Sequence, residues 1–204
     1  MDNIPADLKE ESCQLFLQQL RKATQPMHTK LEESRLSVNL MKGDVSKTEY
    51  ADYLVYMSDV IAYHEFFTYP VVEHLFDDMS ARHKLPMINN DIEVLRQQGV
   101  TITPNNEYRI NTLLPLSIAR ALGYMYVIEG STLGGRMILK HIKTALGFDE
   151  QNGAHFFAGY GNETGKRWNK FIAIFANYAV IESCQQEIIT AATDAFESIQ
   201  THFA

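Results

Sequence analysis

The sequence predicts an all-α fold in a single domain, and three observations carry that expectation. Apolar residues recur at helical spacing along nearly the whole 204-residue chain. The only strand-like fragment is Thr101-Ile102-Thr103, and one fragment cannot make a sheet. No internal repeat, charge block or composition shift marks a boundary, so residues 1–204 read as one domain, within the usual size range for a single core.

The elements follow in order. From Leu8 the apolar positions Leu15, Phe16, Leu20 and Ala23 define a helix; Pro26 then either kinks it or opens a second helix carrying Met27, Leu31 and Leu36. Ser46-Lys47-Thr48-Glu49 is a capping box opening an amphipathic run through Tyr50, Leu54, Met57, Ile61 and Phe66, which Pro70 bends or ends. A short helix around Asp91–Gln97 stops at Gly99, and Val100–Asn106 is a connector. Pro115 near the start and Gly147 just past the end bracket a helix of about thirty residues. Gly153–Gly165, with four glycines, is expected to be a loop, and Arg167–Ala179 and Glu182–Phe203 give two further helices.

Composition excludes several functions. Lys plus Arg number 18 against 25 Asp plus Glu, a formal charge of −7, which argues against nucleic acid as a partner. Any anionic ligand needs a local cation working against that field. The two cysteines, Cys13 and Cys184, form no C-x-x-C and support neither a zinc ribbon nor a disulfide framework, so a reducing cytoplasm is expected. The acidic N-terminal stretch lacks the basic and apolar regions of a signal peptide, and no apolar run is long enough to predict a membrane span.

Two features stand out as candidate chemistry. Gly123, Gly130, Gly134 and Gly135 lie inside one helix, where four interior glycines cost on the order of 3–4 kcal/mol relative to alanine. A kink, a close helix crossing or the approach of a flat ligand to bare backbone would each account for them. The second feature is His28 in LRKATQPMHTKLE. On a helix Glu32 shares its face four residues on and can orient the ring, while Arg21 lies about two turns earlier on roughly the same side. A neutral imidazole with a nearby cation suits haem, with iron at His28 and a propionate at Arg21.

These two stretches resemble the haem oxygenase family. LRKATQPMHTKLE is similar to the family's proximal helix, in which the histidine ligates haem iron, and ALGYMYVIEGSTLGGRMI to its distal helix in the bacterial form Glu-Gly-Ser-x-Leu-Gly. DAFESIQTHF near the end also matches, placing Phe196 and Phe203 on wall positions. The resemblance implies a helical bundle holding haem b between the two helices, with a distal helix bent at Gly130–Gly135. His28 is then the iron ligand, and Arg21, Glu32, Gly130, Gly134, Gly135, Phe196 and Phe203 are haem contacts. Gly130, Ser131 and Gly134 act on the reacting side. Ser131 stands where many animal members carry Asp, and Lys166, Arg167 and Lys170 are only neighbourhood candidates for further propionate contacts.

The implied activity is oxidative cleavage of haem b to biliverdin, carbon monoxide and ferrous iron, with molecular oxygen and external electrons. No flavin or nicotinamide motif is present, so the electrons are expected from a separate reductase or ferredoxin, and a bilin acceptor protein is a further candidate partner. Two other readings use related scaffolds: a haem carrier or sensor without turnover, and a thiaminase-like hydrolase needing an activated cysteine. Other signatures fail. No histidine has Glu three residues before it, Thr68 replaces the second His of a zincin, and GNETGK is too short for a phosphate loop.

Overall fold

The computed structural model describes residues 6–105, 108 and 116–204. Among these the chain is mostly helical and contains no strand, as the periodicity predicts. The helices are α1 (Ala6–Glu32), α2 (Arg35–Leu40), α3 (Lys47–Tyr63), α4 (Tyr69–Val72), α5 (Leu85–Gln97), α6 (Ile118–Leu146), α7 (His155–Ala158), α8 (Thr164–Ile181) and α9 (Gln185–Phe203). The long helix α6 lies against α9 along much of its length, α1 packs on α9 and α8, and α3 packs on α5 and α2. Among the described residues no helix is long and apolar enough to cross a membrane.

Local sequence explains most boundaries. Ser46 and Glu49 form the reciprocal capping box that starts α3. Ser117 caps α6, and Gly147, at φ 72°, closes it in the left-handed conformation that costs glycine nothing. Pro115, the other expected bracket, lies outside the described residues. Pro26 neither ends α1 nor starts a new helix. Pro26 and Lys22 are both exposed, so the carbonyl that loses its partner at Pro26 has water within reach.

Four expectations change. Leu36 belongs to a separate helix, α2, capped by Ser34. The Gly153–Gly165 stretch is only partly loop, since it contains α7, a 3-10 turn and the start of α8. The run after α3 passes through a π turn at His64–Thr68 before α4. The extra residue of a π turn shifts the buried stripe, so Phe66 is 73% exposed while Tyr69 takes the core position. The same turn sends Glu65 to the start of α5, where its carboxylate accepts from the amides of Lys84 and Leu85. This cap explains why α5 begins at Leu85, earlier than the apolar pattern alone suggests.

The backbone of α6 stays α-helical through all four glycines. A Cβ on Gly123 would stand 2.6 Å from the Ile188 carbonyl oxygen and 2.7 Å from the Ala191 Cβ, so the missing side chain is what lets α6 and α9 touch. Gly123→Ala gains up to about 1 kcal/mol of helix propensity but overpacks a rigid crossing at a cost of about 1–3 kcal/mol. Urea unfolding is therefore expected to show a less stable protein, despite the better helix former.

His64 is fully buried on the π turn, with Nδ1 3.0 Å from Thr68 Oγ1 and Nε2 3.4 Å from the Tyr108 hydroxyl. Burial pushes its pKa down to about 3. Unfolded, the ring titrates near pH 6.5, so between these values the unfolded chain binds a proton that the native chain does not. The contribution is fully present above about pH 6.5 and is lost as pH falls toward 3, at up to about 1.4 kcal/mol per pH unit. The loss of stability between pH 7 and pH 5, measured by urea unfolding, should be smaller in His64→Gln.

Candidate functional site

The C-terminal turns of α1, the short helix α2, the middle of α3 and the Gly130–Ile138 stretch of α6 enclose a cleft of about 420 Å³. That volume lies within the range of small-molecule sites. His28, Leu31 and Glu32 line one side; Gly130, Ser131, Thr132, Gly134 and Gly135 line the other; Tyr53, Met57, Phe156 and Phe157 complete the wall. Exposed apolar side chains, among them Met41 and Met137, stand at its edge. The lining is apolar apart from a few converging polar groups, a composition suited to a flat hydrophobic ligand.

The His28 side chain is 53% exposed, and Glu32 Oε2 stands 3.5 Å from its Nδ1. One helical turn separates the two residues on the same face, so the spacing seen in the sequence becomes a contact. With Nδ1 turned to the carboxylate, Nε2 is the ring nitrogen left to bind a ligand. Phe196, buried on α9, meets the imidazole edge-on at 5.7 Å between ring centres and limits how far it can swing.

The glycines divide by function. A Cβ on Gly135 would stand 2.7 Å from the Phe157 carbonyl oxygen, so this position is bare because α7 crosses there. A Cβ on Gly130 would make ordinary contact with Trp168 at 3.6 Å. A Cβ on Gly134 would meet nothing within 4 Å, and the residue is exposed in the cleft. Packing therefore explains Gly123 and Gly135 but gives no reason for Gly134. Ser131 Oγ donates to the Ile128 carbonyl at 2.8 Å, which leaves its oxygen as an acceptor.

Other sequence candidates lie further out. Phe203 is not among the described lining residues; it packs edge-on behind Tyr53, at 5.4 Å between ring centres, and supports the wall from the core. Arg21 is exposed on α1 outside the described lining and lies near Tyr126, whose pKa burial raises against the opposing pull of the Arg21 charge. Lys170 pairs with Asp77, Lys166 is beside Glu163, and Arg167 lies over the Tyr160 ring.

Sequence reasoning passed over three groups. Asp91, buried on α5, accepts from the amides of His155 at 2.9 Å and Phe156 at 2.8 Å at the start of α7, and so it holds the Phe156–Phe157 wall in place. Burial raises its pKa, opposed by those two amides. Glu129, one residue before Gly130, is buried and accepts from Arg82, Lys84 and Tyr160, and Lys84 itself reaches the cleft. Charges on otherwise apolar helix faces were the available signal. Their partners lie on distant segments that the sequence does not juxtapose.

The chain is similar to known proteins in sequence and in fold. The sequence model of the haem oxygenase family matches residues 14–204. Heme oxygenase PigA of Pseudomonas aeruginosa is 36% identical over 81 residues, a match that spans 40% of each chain. The fold is similar to that of the heme oxygenase from Leptospira interrogans, with TM-score 0.72 and 19% identity over 92% of this chain and 98% of that one. It is equally similar to the NO- and CO-bound heme oxygenase from Neisseria meningitidis, with TM-score 0.72 and 20% identity over 92% and 89%. Heme oxygenase-1 from the cyanobacterium Synechocystis sp. PCC6803, in complex with heme, gives TM-score 0.71 and 18% identity over 92% and 90%.

The division of the glycines can be checked on the protein without ligand. Gly134→Ala is expected to raise stability by up to about 1 kcal/mol, because the new methyl group meets open space and the helix gains propensity. Gly135→Ala should lower it, because the carbonyl of Phe157 stands in the way. Urea midpoints of the two variants should therefore move in opposite directions.

Proposed function

Because the chain belongs to the haem oxygenase family, we propose that it binds haem b between His28 and the glycine face of α6 and opens the macrocycle oxidatively. The products are biliverdin, carbon monoxide and ferrous iron. The observation that carries this reading is the cleft itself. A half-exposed imidazole with Glu32 at its Nδ1 lies in the same cleft as Gly134, a helix position with no side chain and no neighbour to forbid one.

When bound, haem supplies the iron that activates oxygen and is also the molecule consumed. The residues of the chain divide the remaining work. His28 Nε2 is the iron ligand, Glu32 holds the opposite ring nitrogen, and Phe196 keeps the ring upright against α9. As an imidazole ligand, His28 would push less electron density onto the iron than a thiolate would. Gly130 and Gly134 let backbone approach the reacting face, and Gly135 lets α7 close the wall behind it. Ser131, its proton committed to the Ile128 carbonyl, accepts a hydrogen bond from water on that side. Arg21, exposed two turns before His28 on α1, is the cation for a propionate. Phe203 acts through Tyr53 without touching the ligand.

Electrons come from a separate reductase or ferredoxin, and a bilin acceptor protein receives the product. The cytoplasm, where thiols stay reduced and such donors are present, is the proposed place of action.

Addition of haem, ascorbate and oxygen to the purified protein, with chromatography of the pigment, tests the activity. A bilin is expected; bound haem with no bilin would instead favour a carrier or sensor. His28→Ala should still trap haem in the apolar cleft but lose the histidine-ligated absorption spectrum and most turnover, and added imidazole should restore part of both. An unchanged spectrum in that variant would remove His28 as the ligand.

A further inference from the structure

Three ionic side chains meet in the interior beside the cleft. Glu129 is 1% exposed, Arg82 0% and Lys84 2%. One carboxylate oxygen of Glu129 accepts from Arg82, and the other accepts from Lys84 Nζ at 2.5 Å. The Tyr160 hydroxyl donates to the same carboxylate at 2.9 Å and accepts from Lys84 at 3.0 Å. Arg82 also donates to Asp78 through Nε at 3.0 Å and Nη2 at 3.1 Å. Arg167 stands 3.9 Å from Asp78 at the edge of the cluster, and each buried cation has a carboxylate partner, which is the condition under which buried charges are tolerated.

The two cations face different surroundings. The Arg82 guanidinium lies near the rings of Phe76 and Phe171, at 5.5 and 5.9 Å from their centres, and is not among the described lining residues of the cleft. Lys84 does line it, on the side of Gly130, Ser131 and Thr132, and is the only Lys or Arg among the described lining residues. Its ammonium has three protons, and acceptors surround it: Glu129, Tyr160, the Arg82 carbonyl at 3.0 Å and the Tyr69 hydroxyl at 3.5 Å. With its protons so engaged, Lys84 is poorly placed to donate to a ligand. It is a fixed charge that acts through space in a poorly screened interior, without having to reorient when charge develops nearby.

We propose that Lys84, clamped by Glu129 and Tyr160, is a positioning residue whose charge sets the electrostatic potential on the Gly130–Ser131 side of the bound haem, with Glu129 as the counter-charge that tunes it. The proposal rests on the haem-binding reading above. It assigns these two residues a role that pure packing or charge neutralisation would not require.

The test uses haem-loaded protein in its ferrous carbon monoxide form, with the C–O stretching frequency read by infrared spectroscopy and the ferric/ferrous midpoint potential by titration. A cation near bound carbon monoxide draws electron density onto it and lowers its stretching frequency. Lys84→Met should therefore raise the frequency and lower the potential, Lys84→Arg should stay near the parent, and Glu129→Gln should move both quantities in the opposite direction to Lys84→Met. Glu129→Gln retains the shape of the side chain and reads the sign independently of how well Lys84→Met folds, which circular dichroism checks for each variant. Shifts of the same sign in Lys84→Met and Glu129→Gln, or no shift in folded variants that keep the histidine-ligated spectrum, would overturn the proposal. A parent protein that takes up no histidine-ligated haem would instead overturn the functional reading, and this proposal with it.

Discussion

The structure depends on how closely other backbone can approach α6. At Gly123 the Ile188 carbonyl and the Ala191 methyl of α9 occupy the space a side chain would need, and at Gly135 the Phe157 carbonyl does the same. These two contacts set where α9 and α7 lie, and α9 in turn brings Phe196 against His28. Successive helix residues point about 100° apart, so Gly134 can open onto the cleft while Gly135, the next residue, is locked against the chain. One helix thereby serves both as the packing axis of the bundle and as a bare wall of the site.

Polar anchors hold the remaining walls. Asp91 secures the start of α7, and the Tyr50 hydroxyl donates to the Gly153 carbonyl at 2.7 Å just before it, so the segment bearing Phe156 and Phe157 is fixed at both a helix end and a loop. On the other side of α6, Glu129 ties the turn that leads into Gly130 to Arg82 and Lys84. Removing one partner of such a buried set leaves an uncompensated charge, which typically costs about 3–5 kcal/mol. The electrostatics of the cleft and the placement of α6 are therefore coupled. In a chain with formal charge −7, the positive charge at the cleft wall has a local origin, at Lys84.

Much of this was legible in the amino-acid sequence. The Ser46–Glu49 box, the Gly147 end of α6 and the helical periodicity were local properties, and short-range capping and spacing suffice to specify them. The His28–Glu32 pairing was also local, because a four-residue interval on a helix brings two side chains together whatever surrounds it. The π turn at His64–Thr68 was not, since an extra residue in a helix has no clear local signature, and Phe66 consequently left the stripe to which its spacing had assigned it.

The sequence by itself thus determined the helical class, the start of α3 and the end of α6, and the residues His28 and Glu32 with their mutual geometry. Only the tertiary structure decided what each glycine of α6 is for. The cost of an interior glycine is the same at all four positions, whereas its compensation depends on which distant atom stands opposite, and only at Gly134 is there none within 4 Å. It also decided the place of Glu129. A carboxylate on an apolar helix face requires a partner, but Arg82 and Lys84 are 47 and 45 residues away along the chain, and chain folding alone brings them to it.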